Sequence, residues 1–181
     1  NGKSNQYLSK DGRSIKKSLL KTPINGARLS SGFGLRRHPV LKYTKMHRGL
    51  DFAAPRGTPI FAAGNGAITY RGRRGAYGNF ILIKHNNGYE TAYAHLNRFN
   101  NKFKKGSRVE QGDVIGYVGT TGRSTGPHLH YEIRKNGKRV DPSRIKTIIS
   151  KKLPKKGLKK FFEQKNYIDS LRTITSNQNL F

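Results

Sequence analysis

The chain of 181 residues has no cysteine, only nine acidic residues against 37 Lys and Arg, and no long apolar run. The missing thiols exclude disulfide frameworks, thiolate zinc sites and cysteine nucleophiles, so any metal must rest on histidine and carboxylate. The shortage of acids leaves a net charge of +28. Such a surface attracts anionic polymers, whether nucleic acid, acidic lipid or cell-wall matrix, and charge alone does not choose among them. No segment approaches the roughly 18 uninterrupted apolar residues of a membrane span, and Asn1 begins no signal-like apolar stretch. Because Asn1 is not an initiator methionine, a processing boundary is expected there, with a signal or anchor lost upstream.

What is present suits a small β domain. Hydrophobic residues are only 33% of the chain, but nine Tyr, nine Phe and 21 Gly accompany them, unlike a disordered basic tail. Residues 1–23 are polar and basic, with an Asp11-Gly12 turn signal, and read as a leader joining an upstream domain. Residues 24–146 alternate short β-branched and aromatic segments with Gly and Pro, among them Ala67–Tyr70, Asn79–His85, Glu90–His95 and His128–Arg134. Turns are expected at Asn87-Gly88 and Asn136-Gly137, so the predicted class is mainly β, an antiparallel sheet. Residues 147–181 form a basic extension in which Leu158, Phe161, Phe162, Ile168 and Leu171 recur at helical spacing, predicting one amphipathic helix docked on the domain, frayed from Ser176 to Phe181.

Six histidines and nine acids can be weighed one by one. His128, His130 and Glu132 share parity, so on a strand they face one side, with the imidazoles about 7 Å apart. One can bind a metal while its neighbour serves the substrate; a plain surface pair is the alternative. His47 and Asp51 lie four apart, but Gly49, Pro55, Gly57 and Pro59 argue against a helix. A turn or bulge at Gly49 could aim both inward, or they form a hydrogen-bonded loop pair. Imidazole and carboxylate are the ligands zinc favours, with a fourth position left to water in catalytic sites. His95 ends Tyr93-Ala94-His95-Leu96, and Gly-rich loops at 72–78 and 119–126 could wall a groove. No His-Glu-x-x-His helix exists, which excludes the helical zincin design. His38 is expected on a groove-edge loop and His85 in a structural role; Glu132, on the face of His130, could orient a ligand imidazole, but a plain salt bridge to one of the many cations is the expectation.

His47-x-x-x-Asp51, Tyr93-Ala94-His95-Leu96 and Gly126-Pro127-His128-Leu129-His130-Tyr131-Glu132 together closely resemble the lysostaphin-like, or LytM-type, zinc metalloendopeptidases that cleave peptidoglycan cross-bridges. The resemblance runs from about Leu29 to Pro142 and includes Gly57-Thr58-Pro59-Ile60 and Gly112-Asp113-Val114-Ile115-Gly116; the approach from Tyr7 to Pro23 looks like that of Gram-negative envelope members. It implies a zinc site of His47, Asp51 and His130, with His95 and His128 as catalytic imidazoles. The implied activity is hydrolysis of peptide cross-links, D-alanyl to diaminopimelate first and a glycine bridge second, in the cell envelope and by expectation the periplasm. The implied partners are peptidoglycan and an upstream inhibitory or anchoring domain or regulatory protein.

Three rivals compete. Some members have lost ligands and serve as latent or non-catalytic binding or activating modules, whereas every expected ligand is present here. A biotinyl-type carrier domain is suggested by Gly106-x-x-Val109-x-x-Gly112-x-x-Ile115-Gly116, but the modified-lysine turn is not recognisable and the histidines would be unexplained. A specific nucleic-acid partner is not expected, because no zinc knuckle, single-strand aromatic motif or recognition helix stands out.

Overall fold

The computed structural model describes residues 13–15, 19–37, 44–145, 149–152 and 155–178. In chain order the strands are β1 (Arg13–Ile15), β2 (Arg28–Ser31), β3 (Gly34–Arg37), β4 (Thr44–His47), β5 (Leu50–Ala53), β6 (Pro59–Phe61) and β7 (Gly66–Arg73). They continue with β8 (Asn79–Lys84), β9 (Tyr89–Phe99), β10 (Arg108–Val109), β11 (Val114–Val118), β12 (His128–Lys135), β13 (Lys138–Val140) and β14 (Ile149–Lys152), followed by helix α1 (Lys155–Gln178).

One compact unit comprises residues 19–146. Its antiparallel sheet runs β10-β7-β8-β9-β12-β5-β2, with β13 beside β12, and β11 joining β9 to β6. β3 and β4 form a separate ribbon. The two Asn-Gly pairs make the expected tight turns: Asn87, Gly88, Asn136 and Gly137 all have positive φ, between 49° and 77°, the conformation that hairpins of this twist require. Strand parity then sorts the side chains. On β12, Leu129, Tyr131 and Ile133 enter the main core, where they meet Ile24, Phe52, Ile60, Tyr93 and Leu96. Fully burying such side chains stabilises the fold by about 1.5–3 kcal/mol each. His128, His130 and Glu132 turn to the opposite face, where Phe80, Ala92 and Ala94 form a smaller buried cluster under Tyr70, Tyr77 and Leu82.

β9 changes partners in mid-strand. It pairs with β12 through Ala94, opposite His130, and with β11 from Leu96 onward, opposite Val118. His95 sits at the handover with φ 62°. Against β8 the register skips there, Ile81 facing Tyr93 and Asn79 facing Leu96. This is a bulge that turns one side chain out of the regular alternation.

The second unit comprises residues 1–18 and 147–181. In it β1 pairs antiparallel with β14, and the predicted helix is present as α1. The helix continues through Gln178, past Ser176 where fraying was expected, because Thr173 to Gln178 contain neither proline nor glycine to stop it. Asp11-Gly12 lies outside the described residues.

Candidate metal centre and active site

β5 and β12 are neighbours in register, with Asp51 opposite His130. His47 closes β4, and the chain turns through Arg48-Gly49 into β5, so the four-residue spacing is realised by two strands joined at a sharp corner. Gly49 is the residue this corner requires. A Cβ there would stand 2.5 Å from the carbonyl oxygen of Tyr131 and 2.9 Å from Cε1 of His130, nearer than nonbonded atoms approach.

The corner brings three polar atoms together. His130 Nδ1 lies 2.7 Å from Asp51 Oδ1, His47 Nε2 lies 3.1 Å from the same oxygen, and the two imidazole nitrogens are 3.2 Å apart. All three side chains are buried. Their outer ring atoms are spoken for: His47 Nδ1 donates to Gly32 O at 2.6 Å and His130 Nε2 to Glu132 Oε1 at 3.3 Å. A carbonyl oxygen only accepts, so His47 must carry its proton on Nδ1 and, when neutral, turn a lone pair on Nε2 toward Asp51. Three electron-rich atoms this close require protons or a cation among them. Two imidazole nitrogens and one carboxylate oxygen within 4.8 Å of one another form a donor set that suits zinc and leaves a position for water.

The other two candidate site histidines, His95 and His128, line the same face. The rings of His95 and His128 stand 4.7 Å apart, and His95 is 6.0 Å from His130. Both are oriented alike: His95 Nδ1 donates to Thr121 O at 2.8 Å, and His128 Nδ1 to Gly126 O at 2.8 Å, with Ser124 Oγ 3.1 Å away. Each therefore presents Nε2 away from its anchor, and His128 Nε2 comes within 3.9 Å of Asp51 Oδ1. The anchors belong to interlocked loops. Thr121 Oγ1 accepts from Asn79 N and donates to Leu96 O, and Arg123 N donates to Ala76 O. Gly78 and Gly122, both with positive φ, leave room for this approach because a Cβ on either would collide with the other loop's backbone.

Burial and charge set the protonation states. Burial alone would raise the Asp51 carboxyl, but hydrogen bonds and charge from His130 and His47 more than reverse this and hold it well below the usual carboxylate range. Burial likewise lowers His130, but Asp51 and Glu132 outweigh it and leave the imidazole raised. Burial pushes His95 down to about 4, with the neighbouring His128 and His130 adding to the effect against the opposing Thr121 carbonyl. His95 is thus a neutral acceptor over the whole physiological range.

The structure brings His47, Asp51, His95, His128 and His130 together on one face of the sheet. His85 stays apart, buried between Asn65 O and Thr91 Oγ1, and His38 lies outside the described residues. Sequence reasoning did not find Thr121, Gly32 and Tyr77. The first two act through backbone carbonyls, which leave no mark on residue type, although the glycines around Thr121 signalled a tight approach. Glu132 pairs with cations as expected and also contacts His130 and Tyr77.

Known proteins resemble the chain in both sequence and fold. Peptidoglycan DD-endopeptidase ShyA of Vibrio cholerae is 38% identical over 168 residues, covering 92% of this chain and 39% of that protein. A zinc-containing peptidase from Vibrio cholerae superposes with a TM-score of 0.67 at 34% identity, covering 78% of this chain and 46% of that one. The catalytic domain of lysostaphin from Staphylococcus simulans superposes at 0.58 with 34% identity, covering 66% of this chain and 91% of that domain. The chain spans less than half the length of the curated relatives it matches. The pattern of peptidase family M23 matches residues 45–142, more than half of the 181 residues, and contains all five site residues; the chain belongs to peptidase family M23.

Proposed function

We propose that this chain is the catalytic portion of a zinc-dependent endopeptidase that hydrolyses peptide cross-links of bacterial peptidoglycan, with the D-alanyl to diaminopimelate bond as its target. The observation that carries the reading is the convergence of His47 Nε2, His130 Nδ1 and Asp51 Oδ1 within 4.8 Å, flanked by two further imidazoles anchored through Nδ1. In this reading His47, Asp51 and His130 hold zinc, while His95 and His128 are catalytic. When bound, zinc supplies a Lewis acid that polarises a carbonyl and makes water a competent nucleophile near neutral pH. The Nε2 atoms of His95 and His128 are the groups that take the proton of the attacking water and return it to the departing amine, and an Nε2–H donates to the oxygen of the scissile carbonyl as charge develops there. The carbonyls of Thr121 and Gly126 keep both rings aimed at that point.

The likeness to ShyA, a peptidoglycan DD-endopeptidase, supports a peptidoglycan cross-link as the target, and the likeness to the zinc-containing Vibrio cholerae peptidase supports zinc. The chain acts in the cell envelope, in the periplasm, and its net charge of +28 holds it on the carboxylates of the wall. Residues 24–146 are the peptidase domain, residues 147–181 a basic extension, and residues 1–23 a leader to an upstream domain that anchors or restrains the enzyme. Replacing His47, Asp51 or His130 by Ala should remove zinc and turnover together, whereas His95→Ala or His128→Ala should keep zinc and abolish turnover. Zinc retained at full stoichiometry in the His130 variant and lost in the His128 variant would overturn the assignment.

A further inference from the structure

Glu132 has no part in the chemistry described above, yet its carboxylate is only 1% exposed and every acceptor position on it is engaged. Oε2 accepts from Nε and Nη2 of Arg134, at 3.2 and 2.9 Å, and from Nε of Arg139 at 2.9 Å. Oε1 accepts from the Tyr77 hydroxyl at 2.7 Å and from His130 Nε2 at 3.3 Å. Tyr77 in turn accepts from Arg139 Nη2 at 3.2 Å, which leaves its own hydroxyl proton for Oε1.

We propose that Glu132 is a positioning residue that commits His130 to offering Nδ1 to the metal, and that Arg134 and Arg139 make this commitment depend on the carboxylate's negative charge. The inference rests on the reading of His130 as a metal ligand. A neutral imidazole that keeps its proton on Nε2 has its lone pair on Nδ1. Glu132 secures that tautomer because it has no proton to give and, with both guanidinium groups served by Oε2, its other oxygen is left to accept from the ring N–H and the Tyr77 hydroxyl. The two arginines neutralise a charge that would otherwise be costly to bury.

Glutamine has the same shape and only one acceptor oxygen. Two cations, the Tyr77 hydroxyl and the imidazole N–H would then compete for it, and charge-assisted bonds are about twice as strong as neutral ones. The oxygen goes to the arginines and the amide NH2 faces His130. Two donors cannot face each other, so the ring moves its proton to Nδ1, the atom that must bind the metal. The carboxylate thus does what its isostere undoes.

The experiment uses the full chain with histidine labelled by nitrogen-15, titrated with cadmium(II) for direct detection of metal–nitrogen coupling and with zinc(II) against a chromophoric chelator for affinity. In the unsubstituted protein cadmium should couple to Nδ1 of His130. In Glu132→Gln, zinc affinity should fall by about 10–100-fold, and the coupling to Nδ1 should vanish or move to Nε2. Arg134→Gln and Arg139→Gln added to Glu132→Gln release the oxygen to turn back to His130, so this triple variant, which also buries no unpaired cation, should recover affinity to within a few-fold. Affinity within twofold and unchanged Nδ1 coupling in Glu132→Gln would overturn the proposal. So would a triple variant that binds as weakly as the single one, and this arm decides the matter if the single variant does not fold. An unsubstituted protein that binds neither metal would instead refute the metal-site reading on which the proposal stands.

Discussion

Alanine at position 49 isolates the packing that forms the metal centre. The backbone of Gly49 needs no left-handed conformation, so the substitution carries no penalty in φ; its cost is steric. The new Cβ would stand 2.5 Å from Tyr131 O, 2.9 Å from His130 Cε1 and 3.0 Å from His130 Nε2. The carbonyl belongs to β12, paired with both β5 and β9, and cannot retreat without breaking ladder hydrogen bonds. The ring cannot swing away without leaving Asp51 and Glu132. Overpacking of this kind costs about 1–3 kcal/mol, and in a domain of this size each kcal/mol lowers Tm by about 2–4 °C. Gly32 is a matched control. Its carbonyl anchors His47, but a Cβ there meets nothing within 4 Å, and alanine at a compatible glycine stabilises by about 0.4–1 kcal/mol through the unfolded chain. Calorimetry together with zinc titration should therefore find Gly49→Ala less stable and weaker for zinc, and Gly32→Ala unchanged or more stable with zinc affinity intact. Equal stability and affinity in both variants would refute the argument that Gly49 is set by the approach of β12.

His95 should separate strain from chemistry: with φ at 62°, His95→Asn, a residue that tolerates this conformation, should fold with a Tm near that of the unsubstituted protein, bind zinc and lose turnover, whereas β-branched His95→Val should also lose about 1–3 kcal/mol in denaturant unfolding. His85 should govern part of the acid sensitivity of the fold. Burial lowers its pKa against the opposing Asn65 carbonyl and Glu90, so on acidification the unfolded chain, with a His pKa of about 6.5, takes up its proton first. Its contribution is present above about pH 6.5 and is lost as pH falls through that value toward the lower folded pKa. Denaturant unfolding from pH 8 to 5 should show the stability gap between the unsubstituted protein and His85→Gln narrowing as pH falls; a constant gap would contradict this.

Much of the architecture could be read from local chemistry. Asn87-Gly88 and Asn136-Gly137 are turn pairs whose conformation is dictated by two residues, and the parity of His128, His130 and Glu132 follows from strand geometry alone. What could not be read depends on residues distant in the chain. Tyr93-Ala94-His95-Leu96 looks like uninterrupted strand, and the bulge at His95 exists because β9 must leave β12 for β11 there. Gly49 is constrained by Tyr131 and His130, some eighty residues away in sequence and adjacent only once β5 lies on β12. Strand parity puts Glu132 beside His130, where it could orient a ligand imidazole or pair with one of many cations, and only the sheet shows that it does both, with Arg134, Arg139 and Tyr77 as its other partners. His95 and His128 take their orientation from the carbonyls of Thr121 and Gly126, groups that every residue carries.

The account as a whole stands on one reaction. Purified cross-linked peptidoglycan should be digested by the zinc-loaded chain with and without a chelator, and the released muropeptides analysed by mass. The account predicts loss of cross-linked dimers that the chelator prevents, with new D-alanyl carboxyl and diaminopimelate amino termini in the products. Zinc bound at full stoichiometry with every type of cross-link left intact would contradict it and turn this fold into a wall-binding or latent module.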